Sequence, residues 1–280
     1  MPELEDLFLH YCSSFNTKEC EPSMHNDQEN KATTHKYGTA FYHYLQSGSY
    51  DAAIRMSSIL LKEFQIDSVL DVGCGQGAWL AGWKANGVET VFGLDGDYVG
   101  IDNLLVEAEE FKAADLSKPF KLNCRFDLVQ SLEVAEHIPA RSSEEFVSSI
   151  CNHGNLVLFS AAQPGQGGEH HINEKPLEFW RKLFAQHGFE AFDFVRPIIA
   201  DDVGIRPWYR YNTVIYAHHS IIQDLTPNVL ISRVLESGTM DPGGSLYWRL
   251  RRRALLPFPS QIITFLSKMN TRLSNILNKR

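Results

Sequence analysis

The sequence predicts a Rossmann-like α/β fold, with a mostly parallel sheet and helices on both faces. Residues 69–72 form an apolar run that is followed by three glycines at alternate positions and then by residues 78–81, which open a helix. Four further apolar runs of strand length follow, at 90–94, 111–116, 126–132 and 155–160, and segments with helical spacing or capping residues separate them. A chain of 280 residues with 44% apolar residues can bury one such core.

The glycine-rich turn has the composition of a cofactor cradle. A tight strand-to-helix turn needs positive φ, and a ligand must approach the bare backbone, so Gly73, Gly75 and Gly77 suit this place. The helix that follows presents unpaired N–H groups to the crevice. We therefore predict that a nucleotide-type cofactor binds here, against the alternative of a glycine-rich turn without a ligand.

Glycine spacing alone leaves the kind of nucleotide open. The pattern from Gly73 to Ala78 also fits the dinucleotide fingerprint, so an NAD-dependent oxidoreductase is one alternative. Asp95, at the end of the second run, is placed to accept ribose hydroxyls in either case. Asp71 is the residue that distinguishes NAD from a cationic cofactor. A carboxylate two residues before the first glycine can contact a cationic ligand or its amino group.

Two of the remaining predicted strands carry candidate ligand contacts at their carboxyl ends. The third run carries Asp115, the fourth ends in Ser131 and Leu132, and two more strands are predicted at 189–195 and 212–217. The carboxyl ends of strands are where open α/β sheets place ligands.

The ordered motifs resemble those of class I S-adenosylmethionine-dependent methyltransferases. The runs that carry the resemblance span residues 37–217: VLDVGCGQGAWL, GLDGDYV, FKAADLSKPF, FDLVQSLEVAEHIP, LFSAAQPGQGG, HINEKPLEFW and WYRYN. The later runs are similar to a bacterial group that modifies glycans or specialised metabolites. The resemblance implies a seven-stranded sheet with one antiparallel edge strand, and S-adenosylmethionine as the cofactor.

The resemblance also implies which residues hold the cofactor: Asp71, Gly73, Cys74, Gly75, Gly77, Asp95, Gly96, Asp115, Leu116, Ser131, Leu132 and Tyr37. In the family an acid at the place of Asp115 bonds the adenine amino group, whereas a plain turn acid before Ser117 is the alternative. Tyr37 and Tyr42 are candidates for the cofactor or acceptor pocket, with core packing as the alternative.

The loop at residues 161–174 must hang over the crevice, because it leaves the carboxyl end of the fifth strand. A hydroxyl acceptor is a poor nucleophile, and a neutral imidazole can take its proton. The resembled group carries a His-x-Asn-Glu element here, so His171 is the predicted base and His170 the second candidate; a histidine without a catalytic role is the alternative.

A metal site built from Glu169, His170, His171 and Glu174 was a further alternative for this loop. Mg²⁺ prefers carboxylates and water to adjacent histidines, and we predict no metal. Glu136 and His137, in the preceding loop, are expected to be a structural pair.

Composition excludes several functions. A net charge of −8 argues against a nucleic-acid groove. Five scattered cysteines predict reduced thiols, and the acidic N-terminus lacks the features of a signal peptide, so a cytoplasmic location is expected.

We divide the chain into an N-terminal helix and lid (1–36), a cofactor-binding domain (37–218) and an extension (219–280). Residues 248–280 carry eight Lys or Arg and no acid, so the rest of the chain is at −16. Apolar residues from Ile262 to Ile276 recur at steps of four and three, which predicts a basic amphipathic helix. Packing on the acidic body, self-association, a membrane surface and a carrier protein are its alternative partners.

The predicted reaction is methyl transfer to a hydroxyl of a small molecule, such as a polyketide or peptide product, or of a glycan. The alternatives are N-methylation and a non-catalytic binding or scaffold protein.

Overall fold

The computed structural model describes residues 39–258, in which seven strands alternate with helices. The strands are β1 (Ser68–Val72), β2 (Thr90–Asp95), β3 (Phe111–Ala113), β4 (Leu128–Leu132), β5 (Leu156–Ser160), β6 (Phe189–Phe192) and β7 (Val214–His218). The α-helices are α1 (Thr39–Leu60), α2 (Ala78–Ala85), α3 (Ser143–Cys151), α4 (Leu177–Gln186), α5 (Val195–Ile199), α6 (Pro207–Asn212), α7 (Pro227–Leu230) and α8 (Leu246–Leu255).

The strands form one sheet in the order β3-β2-β1-β4-β5-β7-β6. The first five of these are parallel, and β7 is antiparallel to both of its neighbours. The order reverses between β1 and β4, and the crevice beyond the carboxyl ends of these strands is the place where such sheets bind ligands. The predicted seven-stranded, mostly parallel fold is confirmed.

Two apolar layers cover the sheet, one on each face. The four central parallel strands are buried along almost their whole length, which explains their continuous apolar sequence. On one face α1 and α2 are in close contact, since a Cβ on Gly82 would lie 2.4 Å from Cβ of Ala53. On the other face Trp180 and Phe184 of α4 pack around Phe159 of β5.

Several predicted boundaries change. The antiparallel strand β7 lies one position inside the edge, which β6 occupies. The strand predicted at 111–116 ends at Ala113, so Asp115 lies in the following turn. Residues 201–211, between the two last predicted strands, include most of the short helix α6. Ser142 precedes α3, and its side chain caps no backbone N–H.

The thiol prediction is only partly right. Cys74 and Cys151 are free and buried, whereas Cys124 is disulfide-bonded and contradicts the expectation of reduced thiols. Within residues 39–258, no helix has both the length and the apolar character to cross a bilayer.

Three predictions lie outside the described residues: Tyr37, the helix and lid before it, and the amphipathic helix from Ile262 to Ile276. Tyr42 lies in α1, and its side chain is not described.

Candidate active site

The glycine turn takes the conformation that its sequence predicts. Gly73, Gly75 and Gly77 have φ of 91°, 54° and 83°, values that favour glycine. A Cβ on Gly73 would lie 2.2 Å from Cγ2 of Val134, a residue in the loop after β4. The turn therefore fits directly under that loop, and a larger residue at position 73 would separate them.

Asp95 ties the ends of β1 and β2 together. Its Oδ2 accepts the N–H of Gly75 at 2.6 Å, and its Oδ1 accepts the N–H of Gly96 at 2.6 Å and the hydroxyl of Tyr98 at 2.5 Å. Burial raises the pKa of this carboxyl, and these hydrogen bonds oppose the rise. One of its oxygens thus already accepts a hydroxyl, as it would from a ribose.

Asp71 carries a buried oxygen with unused hydrogen-bonding capacity. The residue is 2% exposed, and its Oδ2 accepts no hydrogen bond from the described part of the chain. Burial raises the pKa of Asp71 to about 7; the Gln130 side chain opposes this rise and the Asp95 charge adds to it. A buried carboxylate oxygen without a partner among the described residues, near the end of a central strand, fits a cationic or amino-bearing ligand.

The other predicted cofactor residues lie around the same end of the sheet. Cys74 is buried in the turn, Leu116 and Leu132 are buried, and the hydroxyl of Ser131 donates to the carbonyl of Val72 at 2.8 Å. Asp115 accepts the N–H and the hydroxyl of Ser117, at 3.1 and 2.6 Å, as a turn acid does. Its contact with adenine stays a prediction.

The loop after β4 connects this cradle to the second half of the site. Glu133 is non-glycine yet has φ of 59°, and its side chain is partly buried. It accepts the side-chain amides of Gln166 at 2.7 Å and Asn212 at 3.0 Å. Asn212 also donates to Oε1 of Gln166 and accepts from Gln163. This satisfied polar network fixes the loops after β4 and β5 and the end of α6 relative to each other.

Glu174 organises the loop after β5. Its two oxygens accept the N–H of Gly165 at 2.8 Å, the N–H of Gly167 at 2.7 Å and Nδ1 of His171 at 2.9 Å. Burial would raise the pKa of Glu174, but the hydrogen bonds and the His171 charge outweigh it and lower the pKa. The loop is thus wrapped around one carboxylate that also orients the predicted base.

The predicted structural pair lies against that base. Nε2 of His171 is 3.9 Å from Oε1 of Glu136, and the rings of His137 and His171 meet edge to face with centroids 5.0 Å apart. The carbonyl of Glu136 accepts the N–H groups of Ile172 and Asn173, at 2.9 and 3.0 Å. The two loops therefore form one unit, although they are some 35 residues apart.

His170 differs from its neighbour in its backbone. Its φ of 59° turns its carbonyl towards Nδ1 of His137, at 3.3 Å. Its placement supports His137, and a role of its side chain as a base stays a prediction.

A cavity of about 220 Å³ opens beside His171. The loop after β5 (residues 161–174), called the glycine loop below, forms most of its wall. Leu256 and Phe258, which follow α8, close one side. Arg251 and Arg252 of α8 donate to the carbonyls of Gln166 at 2.7 Å and Pro164 at 3.2 Å. A Cβ on Gly165 would lie 2.3 Å from the carbonyl oxygen of Arg252. The end of the described part of the C-terminal extension thus packs on the loop.

The sequence pattern did not indicate the polar network. It also gave no sign that the carboxylate of Glu136 is buried without a hydrogen-bond partner among the described residues. Gln166 and Asn212 lie within the quoted runs LFSAAQPGQGG and WYRYN, but nothing in their spacing indicates that both contact Glu133.

The chain was compared with known proteins. A family model described as "Methyltransferase domain" matches residues 41–193, just over half of the chain. No curated protein sequence matches it significantly.

Among solved structures, the sugar N-methyltransferase KedS8 from Streptoalloteichus sp. ATCC 53650 is 14% identical, with a TM-score of 0.50, over 70% of this chain and 98% of that one. CalS10, an amino pentose methyltransferase from Micromonospora echinaspora, is 16% identical, with a TM-score of 0.46, over 69% and 100%. The Synechocystis PCC 6803 magnesium protoporphyrin IX methyltransferase (ChlM) with bound SAH is 16% identical, with a TM-score of 0.44, over 69% and 90%. At 14% identity, the likeness to KedS8 concerns the fold alone.

Proposed function

This chain belongs to the methyltransferase-domain family, whose cofactor is S-adenosylmethionine, and we propose that it methylates a hydroxyl group of a small molecule or glycan. The loop with the GQGG and His-x-Asn-Glu elements is the part that we assign to the acceptor. The family membership removes the support for an NAD-dependent oxidoreductase, which rested on glycine spacing alone.

The observation that carries the proposal is the contact between Nδ1 of His171 and Oε1 of Glu174, at 2.9 Å. A carboxylate only accepts, so the proton of the imidazole lies on Nδ1 and the lone pair lies on Nε2. A neutral imidazole in this tautomer is suited to receive a hydroxyl proton from Nε2. An amine acceptor would need only to be unprotonated, and this arrangement therefore favours O-methylation over N-methylation.

The residues at the crevice fit the cofactor in three places. The unpartnered Oδ2 of Asp71 would accept the amino group of its methionine part. The carboxylate of Asp95, which already accepts the Tyr98 hydroxyl, would accept the ribose hydroxyls. Gly75 leaves the backbone of the turn open to close approach, because even a Cβ at this position would meet no atom within 4 Å. The cofactor supplies the electrophilic methyl group, and the chain positions it beside the acceptor loop.

The test measures the cofactor first and the acceptor second. Calorimetric titration with S-adenosylmethionine, S-adenosylhomocysteine and NAD should show micromolar binding of the two adenosyl compounds alone. Binding of NAD, or of none of the three, would overturn the enzyme assignment.

Release of S-adenosylhomocysteine is then followed with pairs of acceptors that differ only in a hydroxyl or an amino group. Turnover of the hydroxyl members that is lost in His171→Ala supports the proposal. Turnover of the amino members that survives in His171→Ala would assign N-methylation. Cofactor binding without turnover of any acceptor would favour the binding or scaffold alternative.

A further inference from the structure

Three side chains from the two acceptor-side loops converge on one point. Glu136 and His137 follow β4, His171 follows β5, and one ligand atom from each lies within 4.8 Å of the others. We propose that Glu136, His137 and His171 bind a divalent transition-metal ion of the zinc type at the floor of the acceptor site. This goes beyond the proposed methyl transfer, and it replaces the prediction that no metal binds.

Both imidazoles contact a protein acceptor through Nδ1, which leaves Nε2 of each ring available to a ligand. Nδ1 of His137 lies 3.3 Å from the carbonyl oxygen of His170, and Nδ1 of His171 lies 2.9 Å from Oε1 of Glu174. Each Nδ1 therefore donates, and each Nε2 carries a lone pair. Metal-binding histidines are oriented in this way, by a carbonyl or a carboxylate on the opposite nitrogen.

The burial of the Glu136 carboxylate is independent evidence for a bound cation at this cluster. Glu136 is 1% exposed, and neither of its carboxylate oxygens accepts a hydrogen bond from the described residues. No described Lys or Arg forms an ion pair with this carboxylate, or with the neighbouring carboxylates of Glu133 and Glu174. A buried carboxylate without a partner costs free energy that a metal ion would compensate.

The backbone is strained where it supports this cluster. Glu133 and His170 are the two non-glycine residues with positive φ in the described chain, and they flank the cluster on its two loops. The φ of 59° at His170 directs the carbonyl that orients His137. Such conformations persist where the surrounding structure enforces them, often at ligand sites.

The donor set selects the kind of ion. Two imidazoles and one carboxylate suit Zn²⁺ and its neighbours, and three protein ligands leave a coordination position open. Mg²⁺ prefers oxygen ligands and is disfavoured. His171 also lines the cavity beside the glycine loop, so the open position is accessible to an acceptor.

The role of the ion rests on the proposed function, whereas its binding does not. A bound Zn²⁺ ion lowers the pKa of an oxygen ligand, so a hydroxyl acceptor would lose its proton to solvent water. Its oxygen would then take the methyl group, and S-adenosylhomocysteine would be released. With the ion present, the lone pair of His171 Nε2 is engaged by the metal.

The test uses the untagged full chain, stripped with a chelator and titrated with Zn²⁺ alone by calorimetry. Co²⁺ serves as a spectroscopic probe, because it absorbs visibly in nitrogen- and oxygen-ligated sites. We expect one equivalent of Zn²⁺, a visible Co²⁺ band, and no displacement by millimolar Mg²⁺. Loss of an outer-shell partner typically weakens metal binding about 10- to 100-fold, so Glu136→Gln and His137→Asn should weaken it at least about 100-fold.

The matched control is the double variant His218→Asn/His219→Asn. These two rings lie 4.0 Å apart outside the cluster, so they are the other described imidazole pair able to attract an ion. The control should bind Zn²⁺ as the wild type does. Loss of binding in the control, equal binding in both ligand variants, or no binding by the wild type would overturn the proposal.

Folding and cofactor binding are checked separately. Glu136→Gln removes a buried charge and keeps the side-chain shape, so its thermal unfolding and its S-adenosylmethionine affinity should match the wild type. If this variant fails to fold, His137→Asn decides the question. A protein that binds Zn²⁺ at this cluster but transfers no methyl group would sustain the metal site and overturn only the proposed function.

Discussion

Nδ1 of His171 lies 2.9 Å from Oε1 of Glu174, and the same carboxylate accepts the N–H groups of Gly165 and Gly167. One partly buried side chain thus shapes the glycine loop and orients the imidazole that faces the cavity. Loop conformation and the chemistry of His171 are therefore coupled, and a change at Glu174 should affect both.

Glu174→Gln tests this coupling. The amide keeps the shape of the side chain but has only one oxygen that accepts hydrogen bonds. It therefore cannot replace both carboxylate oxygens, which accept from His171 and from two backbone N–H groups. We expect turnover to fall about 10- to 100-fold, the size of effect seen when a partner that orients an imidazole is lost. Affinity for S-adenosylmethionine, measured by calorimetry, should be unchanged. A parallel loss of cofactor affinity would show instead that the loop collapses onto the crevice.

His171→Ala should remove the group that activates the acceptor. Turnover should fall about 10²- to 10⁴-fold, the usual contribution of a positioned acid or base, while cofactor affinity is kept. His219→Ala serves as the control, because His219 contacts the carbonyl of Gly188 outside the site. Turnover equal to that of the control would remove His171 from the mechanism.

Asp71→Asn should change stability and cofactor binding in opposite directions. The folded protein holds the Asp71 proton up to a pKa of about 7, whereas the usual pKa of an aspartic acid is 3.8. The unfolded chain releases this proton first, so Asp71 makes the wild type less stable as pH rises from about 4 to about 7. The asparagine variant lacks this loss and should be the more stable protein at pH 7.5 in denaturant titrations without cofactor.

The same variant should bind S-adenosylmethionine more weakly, because the amide carries no negative charge for the amino group. In the wild type, affinity should rise with pH towards 7 as Asp71 ionises. A variant that binds as tightly as the wild type would place the amino group elsewhere.

Gly73→Ala should weaken cofactor binding. An alanine at this position would have to adopt φ of 91°. Its Cβ would lie 2.2 Å from Cγ2 of Val134, so the loop after β4 would have to move. Gly75→Ala is the matched control for backbone strain alone, since a Cβ there meets no atom within 4 Å. Gly73→Ala should lose more cofactor affinity and lower the unfolding temperature further than the control. Equal effects would show that strain, and not the contact with Val134, governs the turn.

Deletion of residues 257–280 should leave a folded protein that binds the cofactor. The helix that bonds the glycine loop, α8, ends at Leu255 and is retained. Removal of Phe258 opens one wall of the cavity, so acceptor affinity, measured as KM, should weaken. Near-ultraviolet circular dichroism distinguishes this from a molten product, which would show that the tail belongs to the core.

The sequence by itself determined the local features. Buried parallel strands are recognisable as short apolar runs, and a turn that demands positive φ is recognisable from glycines at alternate positions. The fold, the glycine turn and the acids at the ends of β1 and β2 were predictable for that reason. These features depend on residues that are close along the chain.

Only the tertiary structure decided what meets across the loops. Glu133, Gln166 and Asn212 share one network, and Glu136, His137 and His171 converge, although some 30 to 80 residues separate the chain segments that carry them. Their contacts depend on strand order and on where each loop leaves the sheet. The sequence pattern accordingly assigned Glu136 a structural role. The loop after β5 packs against this residue, and only the tertiary structure shows that its carboxylate is buried there without a hydrogen-bond partner among the described residues.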